Sequence, residues 1–326
     1  MISAAAAPVV AALISGGLIE LMLRSRIGVP LDHPNERSLH TQPIPRAGGA
    51  AIMAGVLAAF VLLPAPAALA IPALALALVS LLDDWRGLPI GLRFLAHAAA
   101  AAAFVWFALG GLPWWLQAAL AISVMWMTNL YNFMDGSDGL AGGMAVSGFG
   151  FLGVAAYLAN DMTLALAAFC IAAAALAFLL YNFHPARIFM GDAGSIPLGF
   201  MAAALGLLGW HRGLWPLWCP ALVFAPFIAD ASATLVRRML RGEPVWKAHR
   251  SHYYQRLVQM GWGHRKTALA EYALMLACGT ASLLALGQPV YLQVGIVIAV
   301  AVLLVCLAVW TDVRWRRTGK APLETR

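Results

Sequence analysis

Long apolar segments separated by short polar loops are the feature that most constrains this chain. Eleven of them occur among its 326 residues, at roughly 2–23, 47–63, 66–82, 92–110, 113–130, 140–158, 162–181, 195–210, 215–236, 268–286 and 290–311. A helix needs roughly 20 apolar residues to cross a bilayer. Hydrophobic residues make up 62% of the chain and charged residues 11%, which excludes an ordinary soluble domain. The pattern predicts an all-α polytopic membrane protein, with residues 1–326 forming one domain of about 11 transmembrane helices.

Positive charge falls almost entirely on one side of these segments. If the N-terminus lies outside, 20 of the 21 Lys and Arg residues are cytosolic and only Arg212 is not. Cytosolic loops of membrane proteins carry an excess of Lys and Arg. The sequence therefore predicts an N-out, C-in topology, and this topology explains the net charge of +7 better than nucleic-acid binding does. The predicted cytosolic active-site loops are 24–46, 83–91, 131–139, 182–194 and 237–267.

Acidic residues concentrate in three of the cytosolic loops, each directly after an apolar segment. They are Asp83 and Asp84, Asp135 and Asp138, and Asp192. A carboxylate at a membrane boundary is costly unless it is paired or binds a cation. Solvated loop positions or helix N-caps would explain one such residue, but they do not explain a pattern that three loops repeat. A divalent cation bound together with phosphate oxygens would explain it, because Mg²⁺ uses few protein carboxylates.

The middle loop carries further polar groups. Asn129, Asn132, Asp135 and Asp138 are spaced by three residues, which would align them on one face of a helix. Four glycines between Asn129 and Gly143, with Gly143 included, allow backbone amides to approach a phosphate or a base. A glycine-rich turn alone would leave the four polar side chains unexplained.

Histidine and arginine residues in two other loops are candidates for binding phosphate. His249 and His252 are three residues apart and share a face with Arg256 near by, which suits a diphosphate clamp. Anchoring at the membrane surface explains several arginines of this loop but does not require the histidines. The first loop, around Arg46, is also polar and basic. Acids for a metal, basic residues for a diphosphate and glycines for close approach together suit phosphoryl transfer on a nucleotide.

Taken together, these motifs resemble the polyprenyl-phosphate N-acetylhexosamine-1-phosphate transferase family, of the glycosyltransferase family 4 type. The resemblance covers residues 30–265 and runs in order through Pro34 to Gly49, Asp83-Asp84, Asn129 to Ala141, Phe189 to Ser195 and His249 to His252. It implies that the phosphate of undecaprenyl phosphate attacks the β-phosphorus of a UDP-N-acetylamino sugar, giving undecaprenyl-diphosphate-sugar and UMP. Mg²⁺ is the implied cofactor, with Mn²⁺ as a substitute.

The resemblance also implies a setting and a role for individual residues. The setting is the bacterial cytoplasmic (inner) membrane, with the active site facing the cytosol, membrane lipid as a partner, no nucleic acid, and a homodimer left open. Asp192 would hold the metal, while Asp83, with Asp84 beside it, would deprotonate or orient the lipid phosphate. Asp135 would line the nucleotide site. The implied substrate-binding residues are Asn129, Asn132, Asp138 near uracil, Phe189 stacking on uracil, Arg46, His249, Arg250 and His252.

Two departures distinguish branches of the family. The peptidoglycan enzyme has three consecutive histidines where this chain reads His249-Arg-Ser-His252, and a lysine where the aspartate pair is followed by Trp-Arg-Gly-Leu88. Both favour the simple amino-sugar branch, and the histidine motif resembles transferases that begin O-antigen synthesis in lipopolysaccharide. The phospho-MurNAc-pentapeptide transferase of peptidoglycan synthesis is the alternative within the family.

A membrane transporter is the alternative from another class. It would carry charges near the bilayer midplane and often an internal repeat, but no repeat is visible here. The acid of the ninth segment, Asp230, lies near the cytosolic end, where it is either functional or paired with Arg237 or Arg238. A phosphatidyl-alcohol transferase is excluded, because its motif needs further aspartates within about a dozen residues and the next acid after Asp138 is Asp161.

The ninth segment is predicted to be interrupted. It contains Pro216, Pro220 and Pro226, and proline inside a helix removes a hydrogen bond and kinks the chain. We expect the lipid tail to enter beside this bent segment.

Overall fold

The computed structural model describes residues 4–25, 30–32, 43–64, 67–244 and 249–318, which are almost entirely helical. Its helices are α1 (Ala7–Ser25), α2 (Gly48–Phe60), α3 (Ala67–Arg86), α4 (Ile90–Ala108), α5 (Trp114–Phe133), α6 (Leu140–Leu158), α7 (Met162–Asn182), α8 (Asp192–His211), α9 (Trp218–Val223), α10 (Ala225–Leu240), α11 (Tyr253–Leu257), α12 (Gly263–Ala285) and α13 (Val290–Arg317). Two short antiparallel strands, β1 (Leu31–Asp32) and β2 (Ile44–Pro45), pair in the first loop.

The helices follow the apolar segments of the sequence. Each predicted segment corresponds to one helix, except the ninth, which is divided between α9 and α10. In the described part of the chain, eight helices are long and apolar enough to cross a membrane, while α2 has only 13 residues. The all-α polytopic class is confirmed. The count of about 11 crossings and the N-out, C-in orientation stay predictions.

Helix α8 lies at the centre of the bundle and α13 at its edge. In the most apolar window of each helix, 89% of the α8 residues are buried but only 6% of the α13 residues are. The sequence of α8 explains its position, because it is rich in glycine and alanine. Small residues let neighbouring helices approach closely, which is the main means of helix packing where hydrophobic burial offers little driving force.

The tightest approach brings α2 against the start of α8. A β-carbon built on Gly49 would lie 2.2 Å from the backbone nitrogen of Gly194. Backbone atoms cannot move aside as a flexible side chain can. The two helices therefore cross with their main chains in contact, and both positions require glycine.

Hydrogen bonds hold the same crossing in register. The amides of Gly48 and Gly49 donate to the carbonyls of Phe189 and Met190 at 2.9 and 2.8 Å. These amides belong to the first turn of α2 and have no partner within their own helix. The loop before α8 satisfies them, and this contact places the first residue of α8, Asp192, against the loop that precedes α2.

The ninth segment is interrupted, as the prolines predict. Helix α9 ends at Val223 and α10 begins at Ala225, with Phe224 between them outside regular helical geometry. Ala225 is buried in a small apolar cluster with Cys278 and Val300. The interruption therefore packs against α12 and α13 on this side, and lipid entry beside it stays a prediction.

Substitution of Gly49 by alanine should destabilise the protein and lower its activity. The added methyl group would overlap the backbone of Gly194, and overpacking of this kind costs roughly 1–3 kcal/mol. Gly150→Ala in α6 is the matched control, because a β-carbon there meets nothing within 4 Å and alanine favours the helix. Thermal unfolding in detergent should show a lower Tm for Gly49→Ala and an unchanged or higher Tm for Gly150→Ala. Equal Tm values for both variants would contradict the close crossing.

Candidate active site

Acidic residues from three loops meet at one end of the bundle. Asp84 lies at the C-terminal end of α3, Asp135 follows α5, and Asp192 begins α8. The guanidinium of Arg46 joins them, because Nη2 donates to Asp192 and Nη1 lies 3.8 Å from the Asp84 carboxylate. Asp135 accepts a hydrogen bond from the backbone amide of Gly191. Residues that are far apart in sequence thus form one cluster.

Backbone contacts hold Arg46 in this position. Its amide donates to the carbonyl of Pro30 at 2.8 Å, and its chain segment pairs with Phe189, whose amide donates to the Pro45 carbonyl at 2.7 Å. Gly191 has a φ of 72°, and a β-carbon there would lie 2.9 Å from Cγ of Arg46. Glycine is required at this position on both counts. The predicted uracil partner, Phe189, therefore lies in the segment next to Arg46.

The cluster holds more negative than positive charge. Burial works against the charge of Arg46, but Asp192 and Asp84 raise the pKa of its guanidinium above the ordinary value. Burial raises the pKa of Asp135 to about 8, Arg46 opposes this shift, and Asp192 adds to it. One guanidinium therefore does not neutralise the carboxylates around it. Within the described ranges, no three His, Cys, Asp or Glu side chains are arranged to hold a metal ion by themselves.

Asp83 has partners of its own. Its Oδ2 accepts from Nη1 of Arg93 at 2.9 Å, and its Oδ1 accepts from the amide of Leu88 at 2.6 Å. The two adjacent aspartates therefore divide between two arginines, Asp83 with Arg93 and Asp84 with Arg46. This separation relieves the repulsion expected between neighbouring carboxylates.

The carboxamides lie on α5, but the two acids that follow them do not. The helix ends at Phe133, so Asp135 and Asp138 lie in the turn after it. The alignment of all four residues on one helical face is therefore wrong, because the helix ends before the two acids and the chain continues there as a turn. Oδ1 of Asn132 accepts from the Ser195 hydroxyl at 2.7 Å. The amide of Asn129 donates to a carbonyl of its own helix.

Asp138 is buried between two histidines. Its Oδ2 lies 2.6 Å from Nδ1 of His184 and 3.2 Å from the Ala186 amide, while Oδ1 lies 3.8 Å from Nδ1 of His264. The two imidazole rings stack with centroids 5.6 Å apart. Nδ1 of His264 also lies 2.9 Å from the Ser137 hydroxyl. A contact between Asp138 and uracil stays a prediction, and one oxygen of Asp138 is already bonded twice.

The loop that carries His249 and His252, the histidine loop, lies beside the end of α5. The rings of His252 and Phe133 are 6.3 Å apart, and His252 stacks on His249 at 4.8 Å. Burial, with His252 and Arg238 near by, lowers the pKa of His249 to about 3, so its ring is neutral at neutral pH. His252 is buried, whereas His249 and Arg250 are partly exposed.

The pairing of Asp230 with Arg237 or Arg238 is wrong. Arg237 makes a two-bond contact with Asp312 at 2.5 Å, and Arg238 binds Glu243 at 2.7 Å. Asp230 instead accepts from the start of α11. Helix α11 lies outside the eleven apolar segments, so the apolar pattern does not predict its contact with α10.

Several polar residues of the site were not predicted. Arg93 binds Asp83, His184 and His264 flank Asp138, and Asn182 bridges the Gly139 amide and the Ile188 carbonyl at 2.9 Å each. Only their position in the sequence could have indicated a place in the site, because each lies in or next to a predicted cytosolic loop. Their partners depend on tertiary contacts that spacing does not reveal.

Asp135→Asn should stabilise the ligand-free protein increasingly as pH rises. The raised pKa of about 8 means that the folded protein keeps this acid protonated at pH values where the unfolded chain, with an ordinary value of 3.8, has released the proton. Folding stability therefore falls as pH rises through this window, and asparagine removes the dependence. The Tm advantage of the variant, measured in detergent with EDTA, should widen up to about pH 8 and then stay constant. A gap that does not change with pH would contradict the raised pKa of Asp135.

Comparison with known proteins identifies the family. Residues 66–209 match the family described as Glycosyl transferase family 4. The chain is 32% identical to the probable undecaprenyl-phosphate N-acetylglucosaminyl 1-phosphate transferase of Bacillus subtilis, over 75% of this chain and 74% of that protein. It is also 32% identical to the decaprenyl-phosphate N-acetylglucosaminephosphotransferase of Mycobacterium tuberculosis, over 80% and 77%. A phospho-N-acetylmuramoyl-pentapeptide-transferase of a Synechococcus species is 35% identical, over only 52% of this chain and 54% of that protein. The chain therefore belongs to glycosyl transferase family 4, among the polyprenyl-phosphate N-acetylhexosamine-1-phosphate transferases.

Proposed function

We propose that this protein transfers N-acetylglucosamine 1-phosphate from a UDP-sugar to undecaprenyl phosphate, giving undecaprenyl-diphosphate-N-acetylglucosamine and UMP. The observation that carries the proposal is the cluster of Asp84, Asp135 and Asp192 around Arg46 at one end of the helices. Such a cluster suits phosphoryl transfer, in which positioning and charge stabilisation provide most of the catalysis. Relatives that align over three quarters or more of the chain carry names with N-acetylglucosamine and a polyprenyl phosphate.

The simple amino sugar is preferred over muramoyl-pentapeptide. The muramoyl-pentapeptide relative aligns over about half of the chain, whereas the N-acetylglucosamine relatives align over most of it. The absence of three consecutive histidines in the last loop supports the same choice. We place the reaction at the start of a cell-surface polysaccharide such as O-antigen, at the cytosolic face of the bacterial cytoplasmic membrane.

The acidic cluster fits a divalent cation that is shared with the substrate. Its carboxylates exceed the charge of Arg46, and Mg²⁺ usually takes one or two protein carboxylates, several waters and substrate phosphates. Asp192 and one neighbouring carboxylate would hold the ion. Bound Mg²⁺, or Mn²⁺ in its place, would supply Lewis-acid stabilisation of charge on the diphosphate.

The lipid phosphate is proposed to lie near Asp83 and Arg93. An oxygen of this phosphate forms a bond to the β-phosphorus of the UDP-sugar as the bond from that phosphorus to the UMP oxygen breaks. Arg93 offers a cation to the incoming phosphate, and Asp83 holds Arg93 at 2.9 Å. This arrangement makes Asp83 an orienting group in the ligand-free protein.

His249 is proposed to donate a hydrogen bond to the diphosphate. Its Nδ1 accepts from the Ser251 amide at 3.4 Å and lies 2.8 Å from the Ser251 hydroxyl, so the proton of the neutral ring lies on Nε2. A neutral ring contributes an N–H group and no charge. Positive charge for the diphosphate then comes from Arg46 and Arg250.

Asp192→Asn should abolish transfer at every Mg²⁺ concentration. The carboxamide keeps the shape of the side chain but loses the charge that would hold the cation, and metal stabilisation of this kind is worth several kcal/mol. Release of UMP from UDP-N-acetylglucosamine, with undecaprenyl phosphate as acceptor, measures the reaction. Asp161→Asn is the control, since Asp161 binds Arg212 and caps α7. Near-normal turnover of Asp192→Asn at saturating Mg²⁺ would refute the role of Asp192.

The active-site end of the helices should face the cytosol. A cysteine replacing the exposed Arg241, near the candidate site, should react with an impermeant thiol reagent only in inverted vesicles. A cysteine replacing the exposed His211, at the other end of α8, should react only in intact cells. The opposite labelling pattern would reverse the predicted topology.

A further inference from the structure

Asp230 is a buried acid that none of the proposed chemical steps uses. Its Oδ1 accepts from the Tyr253 amide at 2.9 Å and its Oδ2 from the Tyr254 amide at 2.9 Å. Oδ1 also accepts from the Thr234 hydroxyl at 3.2 Å and lies 3.1 Å from Nδ1 of His252. Two of these donors are first-turn amides of α11, which have no partner within that helix. Asp230 therefore caps α11 from α10 and binds the histidine that precedes it.

His252 is buried among aromatic rings. The side chain is 3% exposed, and its ring stacks on His249, with Tyr254 at 5.8 Å and Phe133 at 6.3 Å. The bond to Asp230 uses the Nδ1 proton and fixes the orientation of the ring. His249 is the more exposed member of the stacked pair, and it lies over the ring of His252.

Helix α11 also contacts the turn that carries Asp135. The Tyr254 hydroxyl donates to the carbonyl of Phe133 at 3.1 Å, and a β-carbon on Gly136 would lie 2.2 Å from that hydroxyl. Displacement of α11 would therefore move the histidine loop and loosen the Asp135 turn together.

We infer that His252 is a positioning residue rather than a substrate ligand: held by Asp230 through Nδ1, it supports the ring of His249 and seats α11 against the Asp135 turn. Of the two histidines of the loop, only His249 then contacts the diphosphate. The inference rests on the proposed transferase function, and it assigns Asp230 a role that is neither lipid binding nor pairing with an arginine.

Paired amide substitutions of His252 separate positioning from substrate contact. An asparagine amide nitrogen lies where Nδ1 does, and a glutamine amide nitrogen lies near Nε2. His252→Asn keeps a donor for Asp230, whereas His252→Gln leaves the buried carboxylate without it. The free energy lost with a hydrogen bond to a charged group corresponds to a change of about tenfold or more in an equilibrium constant. We expect His252→Asn to exceed His252→Gln by about tenfold in kcat for UMP release, with a KM for UDP-N-acetylglucosamine close to that of the wild-type enzyme. Higher kcat for His252→Gln than for His252→Asn, or equal values, would overturn the inference.

Asp230→Asn provides an independent measurement. It should lower kcat per folded enzyme, and adding it to His252→Gln, which already lacks the bond to Asp230, should lower kcat little further, because residues that act through one contact are not additive. Asp161→Asn is the matched control, since Asp161 also accepts from a helix amide, at 2.9 Å, but lies at the opposite end of the bundle. Gel filtration and thermal unfolding give the folded fraction of each variant. If Asp230→Asn and Asp161→Asn retain equal kcat per folded enzyme, Asp230 only stabilises the fold and the inference fails. Absence of transfer by the wild-type enzyme would instead refute the proposed function.

Discussion

The ion pairs of Arg46 with Asp192 and Asp84 are the interaction on which the candidate site depends. Carboxylates at the boundary of a membrane are expensive to desolvate, and like charges brought together repel. A guanidinium among them compensates part of this charge and leaves the rest for a ligand. Because the compensation is partial, the ligand-free cluster keeps a surplus of negative charge, which destabilises it and which a bound cation would offset. Stability and function therefore make opposite demands on Asp135, whose pKa burial raises to about 8.

The closest helix crossing in the bundle positions Arg46 and Asp192. The backbone contact between Gly49 and Gly194 and the amide bonds to Phe189 and Met190 join the start of α2 to the start of α8. Arg46 and Asp192 lie next to these points, so their separation is set by main-chain contacts and not by flexible side chains. Preorganisation of charged groups on rigid elements is what phosphoryl transfer requires, since the groups need not rearrange as charge develops.

The sequence predicted the elements of the protein better than their partners. Apolar length located every long helix, and the prolines located the break between α9 and α10. The repeated pattern of an apolar segment followed by an acid identified Asp84, Asp135 and Asp192, because desolvation of charge is a local cost that spacing reveals. The capping of α11 by Asp230 and the burial of Asp138 between His184 and His264 could not be predicted. Those contacts join loops that are distant in sequence, and only the crossing of helices sets their geometry.

Helix α13 has a consequence for how this protein can change. Its apolar surface meets few other residues, but near its C-terminal end Asp312 binds Arg237 twice at 2.5 Å and Arg256 at 2.9 Å. Arg256 belongs to α11 and also lies over the Trp315 ring of α13 at 5.8 Å, so these contacts connect the peripheral helix to the segment that carries the histidine loop. The lipid-facing side chains of α13 can drift with bilayer thickness and composition at little energetic cost, since any apolar residue satisfies lipid. The outer surface of α13 can thus adapt to a new membrane while Asp312 keeps its bonds to Arg237 and Arg256.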